Sequence, residues 1–285
     1  MKELIQFKRQ RELGDVLSDT FKFLRLEYKP LFKALLQNAA VPFVILIAFS
    51  AYYTSVATDF TNILEGSFNA SGVFISLIGL VIALFFYYGV LYGTILNYIK
   101  LYIENEGIVD QTLLKQQVRA DLGKLTGLSF LSGLMLIIGF MMCILPGVYI
   151  SVPLSLSFAV IVFKNKSVID AIGYSFSLVK GEWWMTFATI LVIGLLLYVA
   201  NVVFSLPLII YSLVKAFSST EQLSPANLSG VFDWVYISLN VATTAIQYIL
   251  AGIFAIAIAL IYFNLNEKIN QTGTFETIDS IGSDI

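Results

Sequence analysis

"LTGLSFLSGLMLIIGFMMCILPGVYISVPLSLSFAVIVF", Leu125 to Phe163, runs for 39 residues without Asp, Glu, Lys or Arg. As one helix it would be about 58 Å long, twice the roughly 30 Å hydrocarbon core of a bilayer. Pro146 and Gly147 divide it into two pieces of about the right length. A Pro-Gly step is a strong turn signal, and Pro suits the first turn of a helix. The stretch therefore reads as two spans, about 125–145 and 146–163, joined by a tight turn.

Outward from this hairpin, four more stretches lack charge: 34–58, 66–99, 183–214 and 234–266. A charged side chain at mid-bilayer costs several kcal/mol, so each stretch reads as one span. With the hairpin this makes six, at about 32–58, 73–99, 125–145, 146–163, 185–214 and 234–263. Composition agrees: 58% hydrophobic and 13% charged residues, with mean hydropathy +0.84, against roughly a quarter charged in soluble proteins. The expected fold is all-α, a polytopic membrane helix bundle. Residues 1–266 read as a single membrane domain, and 267–285 as a polar, loose tail.

Sixteen of the 17 Lys and Arg residues lie before the first span, in the second and fourth connections, or in the tail, leaving Lys215 on the other side. Basic residues mark the cytoplasmic face. The expected localisation is a bacterial cytoplasmic (inner) membrane, multi-pass, with both termini cytoplasmic. The first residues lack an apolar core of signal-peptide length, so the N-terminus is expected to be retained.

On that face one phrase is written twice. "DVLSDTFKFLRLEYKPLF", Asp15 to Phe32, aligns without a gap on "DAIGYSFSLVKGEWWMTF", Asp170 to Phe187. Asp15 matches Asp170, Phe21 matches Phe176, Glu27 matches Glu182, and Tyr28 stands opposite Trp183. At 100° per residue, Leu13, Val16, Leu17, Thr20, Phe21, Leu24 and Tyr28 share one side of a helix, with Asp15, Asp19, Lys22 and Arg25 opposite. The second phrase has the same pattern. It opens with a Ser167-x-x-Asp170 capping box and ends at Gly181 and the Trp183-Trp184 pair, at headgroup depth. Both read as amphipathic helices, about 11–29 and 167–182, in the membrane interface or against the bundle. A cytoplasmic helix at about 108–122 is a weaker third copy, with Val118, Arg119 and Asp121 echoing Leu24, Arg25 and Glu27. The pattern suggests an internal three-fold repeat of interfacial helix plus two spans, in parallel orientation.

The run from Leu145 to Phe187 resembles the signature of a bacterial six-span membrane-protein superfamily: Pro146-Gly147, a short span, a Ser-rich step, an amphipathic helix, then Gly-x-Trp-Trp. "IYFNLNEKINQTG" at the end of the last span resembles the closing pattern of the same superfamily. It includes the membrane domain of glycerophosphodiester phosphodiesterases and related proteins of unknown function. The resemblance implies the membrane architecture but not the phosphodiesterase activity, which family enzymes carry in a separate soluble barrel. Nothing after Asn266 is long enough for one, so the membrane domain is expected to stand alone.

The residues themselves suggest no catalysis. The chain has no His and a single Cys, Cys143, which excludes imidazole acid-base chemistry, disulfides and Cys-His metal sites. Carboxylates lie outside the spans in no acid-base pairing. Gly89-x-x-x-Gly93, Gly123-x-x-x-Gly127 and Ser129-x-x-x-Gly133 read as close helix contacts rather than phosphate loops. No catalytic, cofactor-binding or metal-binding residue is expected, and the protein reads as no enzyme. A net charge of −2, without interleaved basic and aromatic residues, argues against nucleic acid.

Two functions remain. The first is a scaffold or accessory subunit of a membrane complex, holding lipids or partner proteins through its cytoplasmic helices. Its structural or interface candidates are Asp15, Phe21, Glu27, Pro146, Gly147, Asp170, Phe176, Glu182, Trp183 and Trp184. The second is a transporter or lipid-handling protein with a polar path between the fifth and sixth spans. Asn240, Thr243, Thr244 and Gln247 lie along one face of the last span, Asn201 lies on the fifth, and Pro207 would kink that helix. Ion-coupled pumps place ionisable residues within their spans as relays, and these spans have none, which argues against proton coupling.

Overall fold

The computed structural model describes residues 4–57, 69–218, 233–273 and 275. The connections at 58–68 and 219–232, and the tail beyond 275, lie outside them. The described residues form seven helices: α1 (Leu13–Ala57), α2 (Ala70–Glu104), α3 (Gln111–Met142), α4 (Ile144–Lys164), α5 (Val168–Val179), α6 (Trp183–Ser218) and α7 (Trp234–Asn270). All but α5 are long and apolar enough to cross a membrane, and the chain is a multi-pass membrane protein.

The hairpin turns at Cys143, three residues before the expected Pro146. Cys143 alone separates α3 from α4, with extended backbone (φ −175°, ψ 156°) and its N–H on the Gly139 carbonyl at 3.3 Å. Pro146 therefore sits in the first turn of α4, where its missing N–H costs nothing. Gly147 serves contact rather than turning. A Cβ there would lie 2.5 Å from the Phe140 ring, and one on Gly139 would lie 3.1 Å from the Gly147 Cα.

The sequence separates an interfacial helix from a span in each expected repeat; the structure does so only in the third. Residues 11–29 and 32–58 merge into the 45-residue α1, and 108–122 and 125–145 merge into α3. Between α5 and α6, Gly181 takes φ +89°, a left-handed conformation that costs a side chain roughly 1–2 kcal/mol. The positions aligned with Gly181 are Leu26 and Ala120, so the helix continues there. Pro30 and Pro42 both lie inside α1 without ending it.

Four helices contribute to two compact units. One unit comprises Met1–Ala39, Tyr88–Leu195 and Gly252–Ile285; the other comprises Ala40–Tyr87 and Leu196–Ala251.

The centre of the first unit is the run Ala255 to Tyr262 of α7, each residue at most 2% exposed. A helix apolar on every side has no solvent face and must be surrounded. Residues 95–99 of α2 and 159–162 of α4 are similarly buried. Gly89 seats α2 against α3, since a Cβ would lie 2.9 Å from the Thr126 backbone nitrogen. Gly123 and Gly127, read as another close contact, have nothing within 4 Å of a Cβ.

The second unit is thinly packed. Thr54 Oγ1 donates to Asn240 Oδ1 at 3.3 Å, Tyr87 Oη donates to the Tyr248 carbonyl at 3.0 Å, and Phe43 lies 5.7 Å from Tyr87. Ahead of α7, Asp233 caps the helix by accepting from Val235 and Tyr236 N–H at 3.1 Å, and pairs with Lys215 at 2.9 Å. Hydrogen bonds from Tyr211 and Lys215, then from the Tyr236 backbone, hold its carboxyl well below the usual carboxylate range.

Candidate functional site

The charged residues of the first unit are organised by the segment before α1. Ile5 and Phe7 alternate with polar residues, as an extended strap does. Phe7 is 2% exposed, with its ring 5.3 Å from Phe23, 6.0 Å from Tyr102 and 5.7 Å from Phe263. This pins the strap over the ends of α1, α2 and α7. Arg11 follows, its side chain wholly buried. Its Nε donates to Asp19 at 2.9 Å and its Nη1 to the Phe7 carbonyl at 2.6 Å, while Nη2 reaches the Gln6 carbonyl. Its backbone N–H donates to Asn264 Oδ1 at 2.8 Å, tying the strap to α7. Burial pulls the guanidinium below its ordinary pKa, and Asp19 opposes that pull through its hydrogen bond and charge.

The end of α7 is ordered where a loose tail is expected. Glu267 is 2% exposed. It accepts the Gly273 N–H at 3.0 and 2.9 Å through its two oxygens, and the Thr272 hydroxyl. A buried carboxylate needs such donors, so Glu267 folds 271–273 back on the helix.

The repeated phrases use their aligned residues differently. On α1 the buried face runs through Val16, Thr20, Phe23, Glu27 and Leu31, while Phe21 and Tyr28 are exposed; the expected apolar side is corrected by this rotation. Glu27, 1% exposed, accepts the Tyr98 hydroxyl at 2.8 Å. Its counterpart Glu182 accepts from Lys268 Nζ at 2.9 Å, and Asp121 accepts from Asn97 at 3.2 Å. Asp15 is exposed, whereas Asp170 joins Ser167 in the capping box, accepting its hydroxyl at 2.6 Å while Ser167 Oγ accepts the Asp170 N–H at 3.3 Å. Trp183 stacks between Tyr149 (5.5 Å) and Phe187 (5.2 Å) and donates to the Tyr149 carbonyl at 3.2 Å. Phe176 joins the edge of this cluster 6.5 Å from Tyr149, and Trp184, 77% exposed, packs edge-on against Trp183 at 4.7 Å.

A cavity of about 730 Å³ opens where the strap, the start of α1, the start of α6 and the end of α7 meet. Its charged lining is Arg11, Glu12, Asp15, Glu182 and Lys268, with Gln10, Thr186, Thr189 and Asn264 as neutral polar neighbours. Two residues singled out in the sequence, Asp15 and Glu182, thus share one cavity although they are far apart in the chain. Arg11, Asn264 and Lys268 were not anticipated there. The Ile5-Phe7 alternation ahead of the strap arginines is the signal that could have found Arg11.

The residues of the expected polar path lie in the second unit. Asn240 is occupied by Thr54, Gln247 is exposed, and Thr243 and Thr244 are half-buried. Asn201 is half-buried, its amide nitrogen shut from solvent without a hydrogen-bond partner. Among the described residues no group of three or more His, Cys, Asp or Glu could hold a metal ion.

Compared with protein-family models, with curated proteins and with solved structures, the chain matches none.

Proposed function

We propose that the chain is a non-enzymatic component of a bacterial cytoplasmic membrane, related to the superfamily that includes the membrane domain of glycerophosphodiester phosphodiesterases. It acts as a scaffold or accessory subunit, binding lipids or partner proteins at its cytoplasmic end. The observation that carries this reading is the 730 Å³ cavity, which gathers five ionisable side chains beside both repeated phrases. Its volume falls within the range of roughly 300–1,000 Å³ typical of ligand pockets. The exposed Trp184 beside it suits headgroup depth.

The carrier reading draws on Asn201 and its unpartnered amide nitrogen. The rest of that set supports it less, because Asn240 is used between helices and Gln247 faces outward.

Purification at native level in a mild detergent, followed by mass spectrometry of bound proteins and lipids, tests the first reading. A stoichiometric partner or a retained lipid that is lost on Glu182→Ala or Trp184→Ala is expected. A bare chain would sink it. Loss of a bound solute on Thr244→Leu, with the fold intact, would favour the carrier instead.

Orientation has its own test. In a Cys143→Ser background, single cysteines at Gln116 and Gly173 are expected to resist an impermeant maleimide applied to intact cells, while those at Ser67 and Ser224 react. The reverse pattern would place the cavity on the outer face.

A further inference from the structure

The lining of the cavity is chemically uneven. Glu12 and Asp15 are exposed at its mouth, both anionic. Lys268 pairs with Glu182 at 2.9 Å, both part-exposed, and Arg11 is committed to Asp19 and to strap carbonyls. Lys268, held by one part-exposed carboxylate, is thus the cation that a ligand anion can share. An overall anionic ligand meets repulsion from Glu12 and Asp15; a ligand that pairs a phosphate with a nearby cation meets complementary charge at both ends.

The cation is further specified. A quaternary ammonium is held by aromatic faces, and no aromatic residue lines this cavity. Carboxylates instead accept hydrogen bonds from a primary ammonium.

A second feature separates a lipid from a soluble zwitterion. A groove of about 420 Å³ adjoins the cavity through the shared residues Glu182 and Met185, and continues over Trp184 and Ala188. Met185 and Ala188 lie three apart on α6, on one face. Beside a charged cavity, an apolar groove flanked by an exposed Trp accommodates an acyl chain.

Resting on the binding reading above, we propose that the cavity holds the headgroup of a zwitterionic phospholipid bearing a primary amine. Its phosphate lies at Lys268, its ammonium lies between Glu12 and Asp15, and an acyl chain leaves over Met185 and Trp184.

The test is native mass spectrometry of the full chain with dioleoyl phosphatidylethanolamine, phosphatidylcholine and phosphatidylglycerol at equal concentration. The ethanolamine lipid is expected to be retained about tenfold over the other two, as one or two charge-assisted hydrogen bonds would give. Asp15 Oδ2 also accepts the Glu12 backbone N–H at 3.2 Å, a bond that an amide oxygen keeps, so the double variant Glu12→Gln, Asp15→Asn is expected to lose that preference with little change in melting temperature. Retention of the preference in this variant would overturn the assignment. Displacement of the lipid by soluble phosphoethanolamine at matching concentration would overturn the lipid as the ligand.

Met185→Trp, which fills the junction of cavity and groove, separates the failures. If all three lipids bind equally but are lost in this variant, the headgroup assignment falls and the binding site stands. If it changes no retention, the cavity is not a lipid site and both fall.

Discussion

Arg11→Ala is expected to destabilise the detergent-solubilised protein by about 3 kcal/mol. The change is read as a lower thermal midpoint. The physical reason is the completeness of the commitment. The side chain has no exposure, and its nitrogens meet Asp19 and the carbonyls of Phe7, Arg9 and Gln6. Removing one partner of a buried ion pair costs roughly 3–5 kcal/mol because the other charge stays behind. Here the lower end applies, since Arg9, 44% exposed, still reaches Asp19 at 2.8 Å. Arg11→Lys is expected to recover little, because a single ammonium cannot fork between a carboxylate and three carbonyls. Arg25→Ala, at an exposed position of α1, is expected to change stability by less than about 0.5 kcal/mol. Equal midpoints for Arg11→Ala and Arg25→Ala would mean that the strap is not anchored as described.

The membrane helices were legible because the signal for a span is an absence of charge over about 20 residues, which no tertiary contact can disguise. The 39-residue stretch could only be two helices, and it is. Its turn was placed three residues late, because Pro146 is as compatible with a first helical turn as with the turn before it. Where interfacial helices run into spans, sequence alone misled. Both Lys29-Pro30 and the charged run before Leu125 resemble boundaries, yet helix continuity is decided by whether a residue tolerates φ > 0, and only Gly181 does so at that aligned position.

The site was half legible. Asp15 and Glu182 drew notice as repeated carboxylates, but their common cavity depends on Lys268 and Asn264, which arrive from the far end of the chain. Periodicity describes one helix at a time, so it cannot report which ends meet. Nor could it see that Glu27 would be buried on Tyr98 while its counterpart Glu182 faced a cavity.

The glycines of α3 make the sharpest contrast between pattern and contact. Gly139→Leu is expected to destabilise the protein by about 2–3 kcal/mol, the cost of forcing extra carbons into a packed contact. At Gly139 a Cβ would already lie 2.9 Å from Ile150 Cδ1, and 3.1 and 3.3 Å from the Gly147 Cα and N. The isoleucine can turn aside, but the Gly147 backbone cannot move without displacing α4. One residue joins α3 to α4, so the helices have no slack to slide apart. Gly127→Leu, on the same helix and within a G-x-x-x-G pattern, meets nothing within 4 Å. It is expected to be neutral or to gain up to about 1 kcal/mol, because glycine is the poorer helix former. Thermal midpoints of the two variants in one detergent decide the matter. Opposite signs establish the α3–α4 approach at Gly139 and Gly147, whereas equal midpoints would mean that the hairpin is not closed there.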